Sequence, residues 1–255
     1  MTHIFLRDDK FFAFKQIASN FRDIQTLIAL NQKKELAPKV GSVRLVSERL
    51  LTCANTKEDM MDITSRQMEI LQAAIRVIAQ QGYEKLTTKN LAKSIGISDA
   101  ALYRHFSSKK ELVTMILCYF EDISCSVIHR INSQNLNPLE KLSHFVMDRY
   151  KLFTRDPDLA MVMFSEELFK NDHSFEEQLL SIMHIHRNEV MGYIREGQSM
   201  GLICSELNPL HIFRMVVGSM RLLVSQWNMS KHAFDLVEEG RSLLNTIIKL
   251  IEVQK

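Results

Sequence analysis

The chain has 255 residues, of which 46% are hydrophobic and 24% are charged, and it contains only 8 glycines and 4 prolines. This composition is that of a globular protein with a sizeable core. Apolar residues recur at helical spacing in nearly every segment, which predicts an all-α fold. No run of about 18 uncharged apolar residues is present, and Asp8, Asp9 and Lys10 interrupt the stretch that a signal peptide would need. The sequence therefore predicts a cytoplasmic protein with neither a membrane span nor an export signal.

The net charge of +2 conceals an asymmetry along the chain. Residues 1–112 carry 18 Lys and Arg against 12 Asp and Glu, whereas residues 113–255 carry 14 against 18. The first part is thus basic and the second acidic. The basic excess of residues 1–112 predicts that this part of the chain contacts a polyanion.

The first 60 residues form an N-terminal extension of unknown role, since they show no recognisable chemistry. Lys57-Glu58-Asp59 stands directly before Met60-Met61, and its purine-rich codons can form a ribosome-binding sequence. One hypothesis is therefore that residues 1–60 are an upstream mis-start. Translation from Met61 would leave 195 residues.

From Thr64 onwards the helical pattern is sharp. It predicts a helix over Ser65–Gln81, ended by Gly82, and a short second helix over Thr88–Ile95 with Thr87 as its N-cap. Gly96 follows where the chain must turn tightly, because a Cβ would crowd a positive φ.

A third helix is predicted over Asp99–Phe106, with Ser98 as its N-cap. A long helix then runs from about Ser108 to Arg130, capped by Ser107 or Ser108. If Ser108 is the cap, Glu111 is placed to complete a capping box.

Two short helices joined by a glycine turn, with a longer helix in front, are typical of a helix-turn-helix, whose second helix enters the major groove of DNA. Tyr103, Arg104 and His105 would lie on the outer face of that helix. The alternative is a basic helical hairpin without a DNA role. The agreement of caps, turn and charge favours DNA binding.

The segment from Arg66 to Leu112 closely resembles the DNA-binding domain of the TetR (tetracycline-repressor-like) family. The matching stretches are GYEKLTTKNLAKSIGIS and, shortly after, ALYRHFSSKKEL. The resemblance implies a helix-turn-helix domain over residues 61–112 and a helical effector-binding and dimerisation domain over 113–255. It implies a homodimeric repressor that binds an inverted-repeat operator and is released by a small, mostly apolar effector. A second interpretation is an architectural or division-linked DNA-binding protein without an inducer.

The resemblance also assigns DNA contacts. Thr87, Tyr103, His105 and Lys109 match phosphate-contacting positions of the family, and Ala100, Ala101 and Arg104 match base-contacting ones. The two alanines offer only methyl contacts, and Asp99 suits the helix N-terminus better than a cytosine amine. Arg104 can form a bidentate contact with guanine, although a phosphate contact stays open. The expected DNA-binding residues are Thr87, Thr88, Lys89, Ser98, Asp99, Ala100, Ala101, Tyr103, Arg104, His105 and Lys109.

The last two predicted helices, about Leu210–Met229 and His232–Val253, each carry an apolar stripe. Gly218 and Ser219 would allow a partner helix to approach closely, so the two helices predict a four-helix dimer bundle. A purely intramolecular core is the alternative. The expected interface residues are Phe213, Val217, Met220, Val224, Trp227, Leu244 and Ile248.

The family resemblance implies a small-molecule pocket between about Leu139 and Met200, where Met and aromatic residues are frequent. Each of these is by default a core residue, but together they predict an adaptable apolar cavity. The residues expected to line it are Phe145, Met161, Phe164, Met183 and Met191.

No nucleophile elbow, phosphate loop or HExxH motif occurs in the sequence, and His184 and His186 are two residues apart, which prevents them from chelating one metal on a helix. The sequence therefore predicts no catalytic residue, no metal and no cofactor. The expected partners are double-stranded DNA, a small-molecule effector and a second copy of the chain, without a membrane.

Overall fold

The computed structural model describes residues 63–165 and 173–253. The N-terminal extension and the proposed start at Met61 lie outside these residues. The predicted all-α class is confirmed, since every regular element of the described chain is a helix, with one isolated antiparallel bridge between Ile203 and Glu252.

Nine α-helices follow one another in the described ranges, with a 3₁₀ turn at Tyr83–Lys85 between the first two. Their bounds are α1 Ser65–Gln81, α2 Thr88–Ser94, α3 Asp99–Tyr103, α4 Lys109–Asn132, α5 Pro138–Arg155, α6 Pro157–Met163, α7 His173–Ser199, α8 Pro209–Met229 and α9 Leu236–Ile251.

Polar side chains cap the helix starts because the first turn of a helix leaves backbone N–H groups without intrahelical partners. Thr64 and Gln67 form a reciprocal capping box at α1, and Asn137 and Glu140 do the same at α5. The end of α1 is also as predicted, because Gly82 adopts a φ of 89° that L side chains rarely adopt.

Two predicted helix bounds differ from the structure by three or more residues. Helix α3 ends at Tyr103 rather than at Phe106, since the N–H groups of His105 and Phe106 both donate to the Leu102 carbonyl, at 2.9 and 3.1 Å, in a tight final turn. Helix α9 begins at Leu236 rather than at His232, which lies in the left-handed region with a φ of 63°.

Helix α4 joins the two hydrophobic clusters of the described chain. Leu112, Ile116 and Phe120 pack in the cluster around α1–α3, whereas Ile128 and Ile131 pack in the cluster of the C-terminal helices. The predicted domain boundary at residue 112 falls near the start of this helix. The helix is therefore a single rigid element shared by both cores.

Helix α4 is also, among the described helices, the one whose length and composition would suit a membrane span. Its mean hydropathy reaches 1.4 over an 18-residue window, of which 44% is buried inside the chain. It packs against α1, α5 and α7. A helix that packs in a protein core can have the same length and apolar composition as a membrane span.

Candidate functional site

The position of α2 is fixed by hydrogen bonds at its start. The Thr87 hydroxyl accepts from the Asn90 backbone N–H at 3.1 Å, as the sequence predicts for the N-cap. The Asn90 amide in turn donates to the Lys85 carbonyl and the Gln81 side chain, both at 3.0 Å. These bonds attach α2 to the end of α1.

The turn between α2 and α3 has the predicted glycine geometry. Gly96 has a φ of 68°, and the Ile97 N–H donates to the Ala92 carbonyl at 3.0 Å. Ser98 then caps α3 by accepting from the Ala101 N–H at 3.2 Å. Because α3 has only five residues, this cap and the turn decide where it points.

The inner side of α3 is held by Leu102 and Phe106, which are 2% and 4% exposed. The residual space between α2, α3 and the start of α4 is about 10 Å³, so this core is filled. The outer side carries Tyr103, which is 52% exposed, together with exposed Arg104 and half-buried His105. The structure thus places all three on the side away from the core.

The outer surface of α2 and α3 is basic. Lys89, Lys93 and Arg104 are exposed, and within the described chain none of them forms an ion pair. Asp99 is the one acidic residue between 88 and 104, and it lies in the first turn of α3, where the helix dipole favours a carboxylate. This surface attracts polyanions.

Lys109 has a second role that its sequence position does not reveal. Its ammonium donates to the Tyr83 carbonyl at 3.2 Å and lies 3.7 Å from the centroid of the Tyr83 ring. Burial lowers the pKa of Lys109, while the nearby Glu84 carboxylate raises it. Lys109 therefore helps to join α4 to the turn before α2.

The start of α4 departs from the predicted capping box. Ser108 is the N-cap, accepting from the Glu111 N–H at 3.1 Å. The Glu111 carboxylate, however, accepts from the N–H and the hydroxyl of Ser107, both at 2.6 Å, and not from the N–H of Ser108. Ser108 thus accepts the backbone hydrogen bond of the expected capping box, while Ser107 donates the hydrogen bond to the Glu111 carboxylate.

The residues expected to contact DNA all lie on α2, α3 or the segments that flank them, and all keep exposed surface. The exposed ones are Thr87, Lys89, Ser98, Asp99, Ala100, Tyr103 and Arg104, and the partly buried ones are Thr88, Ala101, His105 and Lys109.

The five residues expected to line an effector pocket differ in how deeply they are buried. Phe145 is buried in the C-terminal cluster, and Phe164 is half-buried with its ring edge-to-face to Phe153 at 5.3 Å. Met161 and Met183 are 43% and 39% exposed. Met191 is partly exposed on α7. The frequency of Met and aromatic residues predicted an apolar region between Leu139 and Met200, but it could not predict which faces of the helices meet.

A cavity of about 900 Å³ lies between α1, α4 and α5, and its wall contains none of these five residues. Its wall includes the apolar side chains of Met68, Ile123 and Leu152 together with the cations Lys151 and Arg155. The sequence pattern did not predict this cavity, because its wall combines residues that are far apart along the chain.

A buried polar pair lies on another side of α5. Arg149 is 2% exposed, and its Nη2 lies 3.1 Å from Nε2 of His186 on α7. Its guanidinium carbon is 5.1 Å from the centre of the Phe145 ring, which meets the His186 ring edge-on at 5.8 Å. No sequence pattern predicted this pair, because arginine is rarely buried in a core.

The interface predicted on the last two helices needs correction. Met220, Val224, Trp227 and Leu244 are at most 5% exposed in the single chain and pack in its own core. The burial of these four residues supports the alternative interpretation, an intramolecular core. Phe213, Val217 and Ile248 are partly buried against the same cluster.

A different stripe of α8 faces outward. Met215, Leu222 and Met229 are 37%, 51% and 72% exposed, and Gly218 and Ser225 lie between them on the same face. Their alternating spacing of three and four residues is that of a helix-packing seam.

A capped helix-turn-helix with a basic outer face, joined by one long helix to a helical second domain, defines a DNA-binding transcriptional regulator. Residues 70–116 match the family model for bacterial regulatory proteins of the tetR family, and residues 121–250 match the model for the C-terminal region of YsiA-like proteins. The chain therefore belongs to the TetR family, and it is a regulator rather than an enzyme.

Known proteins of this family cover most of the described chain. The fatty acid metabolism regulator protein of Bacillus subtilis is 26% identical over 71% of this chain and 93% of its own. The nucleoid occlusion factor SlmA of Vibrio campbellii is 30% identical over 63% of this chain and 85% of its own. The structure of FadR from Bacillus subtilis in complex with stearoyl-CoA has a TM-score of 0.60 at 24% identity, covering 72% of this chain and 99% of that one.

Proposed function

We propose that the protein is a homodimeric repressor that binds an inverted-repeat operator in the cytoplasm and is released by a small effector with an apolar body. The observation that supports this most is the shared helix α4, which begins at Lys109 beside the reading helix and ends in the C-terminal core. A ligand that displaced its far end would tilt its near end.

Such a tilt changes the distance between the two reading helices of a dimer. Half-sites on one DNA face are about 34–36 Å apart, so a shift of a few ångströms prevents both helices from docking together. The effector acts only through its different affinities for the two states, and a coupling of about 1–3 kcal/mol would lower operator affinity about 5–150-fold.

The DNA contacts follow from the exposed surface of α2 and α3. The Thr87 end of α2 and the exposed Lys89 would bind phosphates, as would Tyr103 and His105. Arg104 would read one base, since it is exposed and forms no ion pair within the described chain. Ala100 and Ala101 would offer methyl contacts to thymine.

The second copy would pack along the exposed stripe of α8 formed by Met215, Gly218, Leu222, Ser225 and Met229. Small residues between large apolar ones allow the two α8 helices to approach closely. This surface replaces the four buried residues of the predicted interface, and Phe213, Val217 and Ile248 would lie at its margin.

The class of effector is suggested by the relatives. One of them is named for fatty acid metabolism, and FadR from Bacillus subtilis has been crystallised with stearoyl-CoA. We infer that an acyl chain supplies the apolar body of the effector here. An acyl chain suits a helical domain rich in Met, Phe and Ile.

The test is to footprint the purified full-length protein on total genomic DNA, with and without a long-chain acyl-CoA. A few inverted-repeat sites that are released by the acyl-CoA are the expected result. A ligand that binds the protein tightly and leaves the affinity for those sites unchanged would contradict induction.

The second candidate is a division-linked DNA-binding protein without an inducer. It is favoured by the similarity to the nucleoid occlusion factor of Vibrio campbellii. The same footprinting experiment separates the two functions, because this role requires many dispersed chromosomal sites whose occupancy no acyl ligand changes.

A further inference from the structure

The C-terminal core contains a positive charge that forms no ion pair within the described chain. Arg149 is 2% exposed, and its Nη1 forms no hydrogen bond. The adjacent Asp148 favours the Arg149 cation through its charge, but its carboxylate contacts Arg130 at 2.5 Å and not Arg149. A buried cation is normally paired, since removing an ion from water is unfavourable.

His186 does not supply the missing charge. Arginine has donors only, so the 3.1 Å contact requires Nε2 of His186 to accept from Arg149 and Nδ1 to carry the proton. Burial, together with the charge of Arg149, lowers the pKa of His186 to about 3. The imidazole is therefore neutral at physiological pH, and the pair keeps a net charge of about +1.

The surroundings of the pair fit an amphipathic anion. Phe145 contacts both residues, and the C-terminal cluster around them consists of aliphatic and aromatic side chains. His186 is only partly buried, and it lies where α5 and α7 pack together. The N–H donors on Nη1 of Arg149 have no hydrogen-bond partner, and guanidinium donors of this kind bind carboxylate or phosphate oxygens.

We propose that Arg149 and His186 form the head-group receptor for the effector, which is an amphipathic molecule with a carboxylate or phosphate group. Arg149 donates from Nη1 to the anion, while His186 holds the guanidinium in place and Phe145 contacts the start of the apolar body. This assignment rests on the proposed ligand response, and it names the chemistry of the ligand and its position between α5 and α7.

The cavity between α1, α4 and α5 is the competing location. Its cations are solvent-exposed, Arg130 is already paired with Asp148, and an anion there would remain in contact with water. Lys151 in its wall is an exposed cation on the same helix as Arg149. Lys151→Met is therefore a matched control for Arg149→Met.

The experiment measures binding of decanoate, 1-decanol and decanoyl-CoA to the full-length protein by calorimetry and by the shift of its melting temperature. Wild-type protein and Lys151→Met should bind an anionic probe alike. Arg149→Met should bind it at least about tenfold more weakly, because a charge-assisted hydrogen bond is lost.

The melting temperature of Arg149→Met without ligand should not fall, because an apolar residue replaces an unpaired buried charge. Arg149→Lys, which lacks the forked donors, is the second variant if Arg149→Met does not fold.

The probes identify the source of the anion. Binding of decanoate but not of 1-decanol assigns a carboxylate, and binding of decanoyl-CoA alone, lost in Arg149→Met, assigns a phosphate. The proposal is overturned if 1-decanol binds as well as the anions, if no anionic probe binds, or if Lys151→Met loses binding while Arg149→Met keeps it. A ligand that needs Arg149 but leaves DNA affinity unchanged would instead overturn the proposed induction and keep the receptor.

Discussion

The two cores of the protein differ in what they enclose. The cluster around α1–α3 packs aliphatic and aromatic side chains, and the caps of its short helices lie at the surface. The C-terminal cluster surrounds Arg149 and its neutral partner His186. The first core holds α3 in one position, whereas the second encloses a buried cation whose Nη1 forms no hydrogen bond. Under the two proposals above, the first core places the reading helix and the second recognises the ligand.

The largest effect is expected from Leu102→Ala, because this residue anchors a helix of only five residues. The loss of a fully buried leucine should lower the free energy of unfolding by about 2–5 kcal/mol. Urea denaturation measures the change, and fluorescence anisotropy on operator DNA should show that binding is lost with it. Tyr103→Ala, at an exposed neighbour, serves as the control and should reduce DNA binding without loss of stability. Equal stability of both variants would mean that α3 is not held by its leucine.

The packing of the C-terminal core is tested by Gly240→Ala. A Cβ at Gly240 would lie 2.3 Å from the Tyr150 ring, which is fully buried and cannot move away. We expect a loss of about 1–3 kcal/mol from overpacking. Gly192→Ala is the matched control, since nothing lies within 4 Å of its added Cβ and the site is an exposed helix position. That variant should gain about 0.5–1 kcal/mol through helix propensity. Thermal denaturation of the two should therefore move in opposite directions.

The reading surface is tested by comparing Arg104→Ala with Lys89→Ala. If Arg104 reads a base, its removal should cost about 1–3 kcal/mol on the operator and relax one base position. Lys89→Ala should weaken binding to all sequences alike and flatten the salt dependence by about one unit of slope. Binding titrations at several salt concentrations, on operator and on random DNA, measure both effects. Arg104 is a phosphate contact if its variant loses affinity equally on the two DNAs.

A smaller effect is expected at the cap of the reading helix. Ser98→Ala removes the hydroxyl that accepts from the Ala101 N–H at 3.2 Å, and it should destabilise the protein by about 1 kcal/mol. Ser98→Gly should lower the free energy of unfolding by only about a few tenths of a kcal/mol, since glycine is tolerated at N-caps. Thermal denaturation of the two variants measures the difference. An alanine variant as stable as wild type would show that Gly96 and Leu102 alone position α3.

The local features of the DNA-binding region could be predicted from sequence because they depend on neighbours along the chain. Thr87, Ser98 and Ser108 cap the helices that follow them, and Gly82 and Gly96 have the positive φ that the turns require. Caps and turns involve residues three or four positions apart, so the amino-acid order determines them. The all-α class and the family followed from the same patterns.

The tertiary structure alone decided which faces of the long helices meet. Periodicity marked Met220, Val224 and Trp227 as apolar, but only the packing against α5 and α9 shows that they are internal and that Met215, Leu222 and Met229 face outward. The contact between Arg149 and His186 joins residues 37 positions apart, and each taken alone is an ordinary polar residue on a helix. Burial is a property of the assembled helices, and for that reason the buried charge of Arg149 could not be recognised before they were packed together.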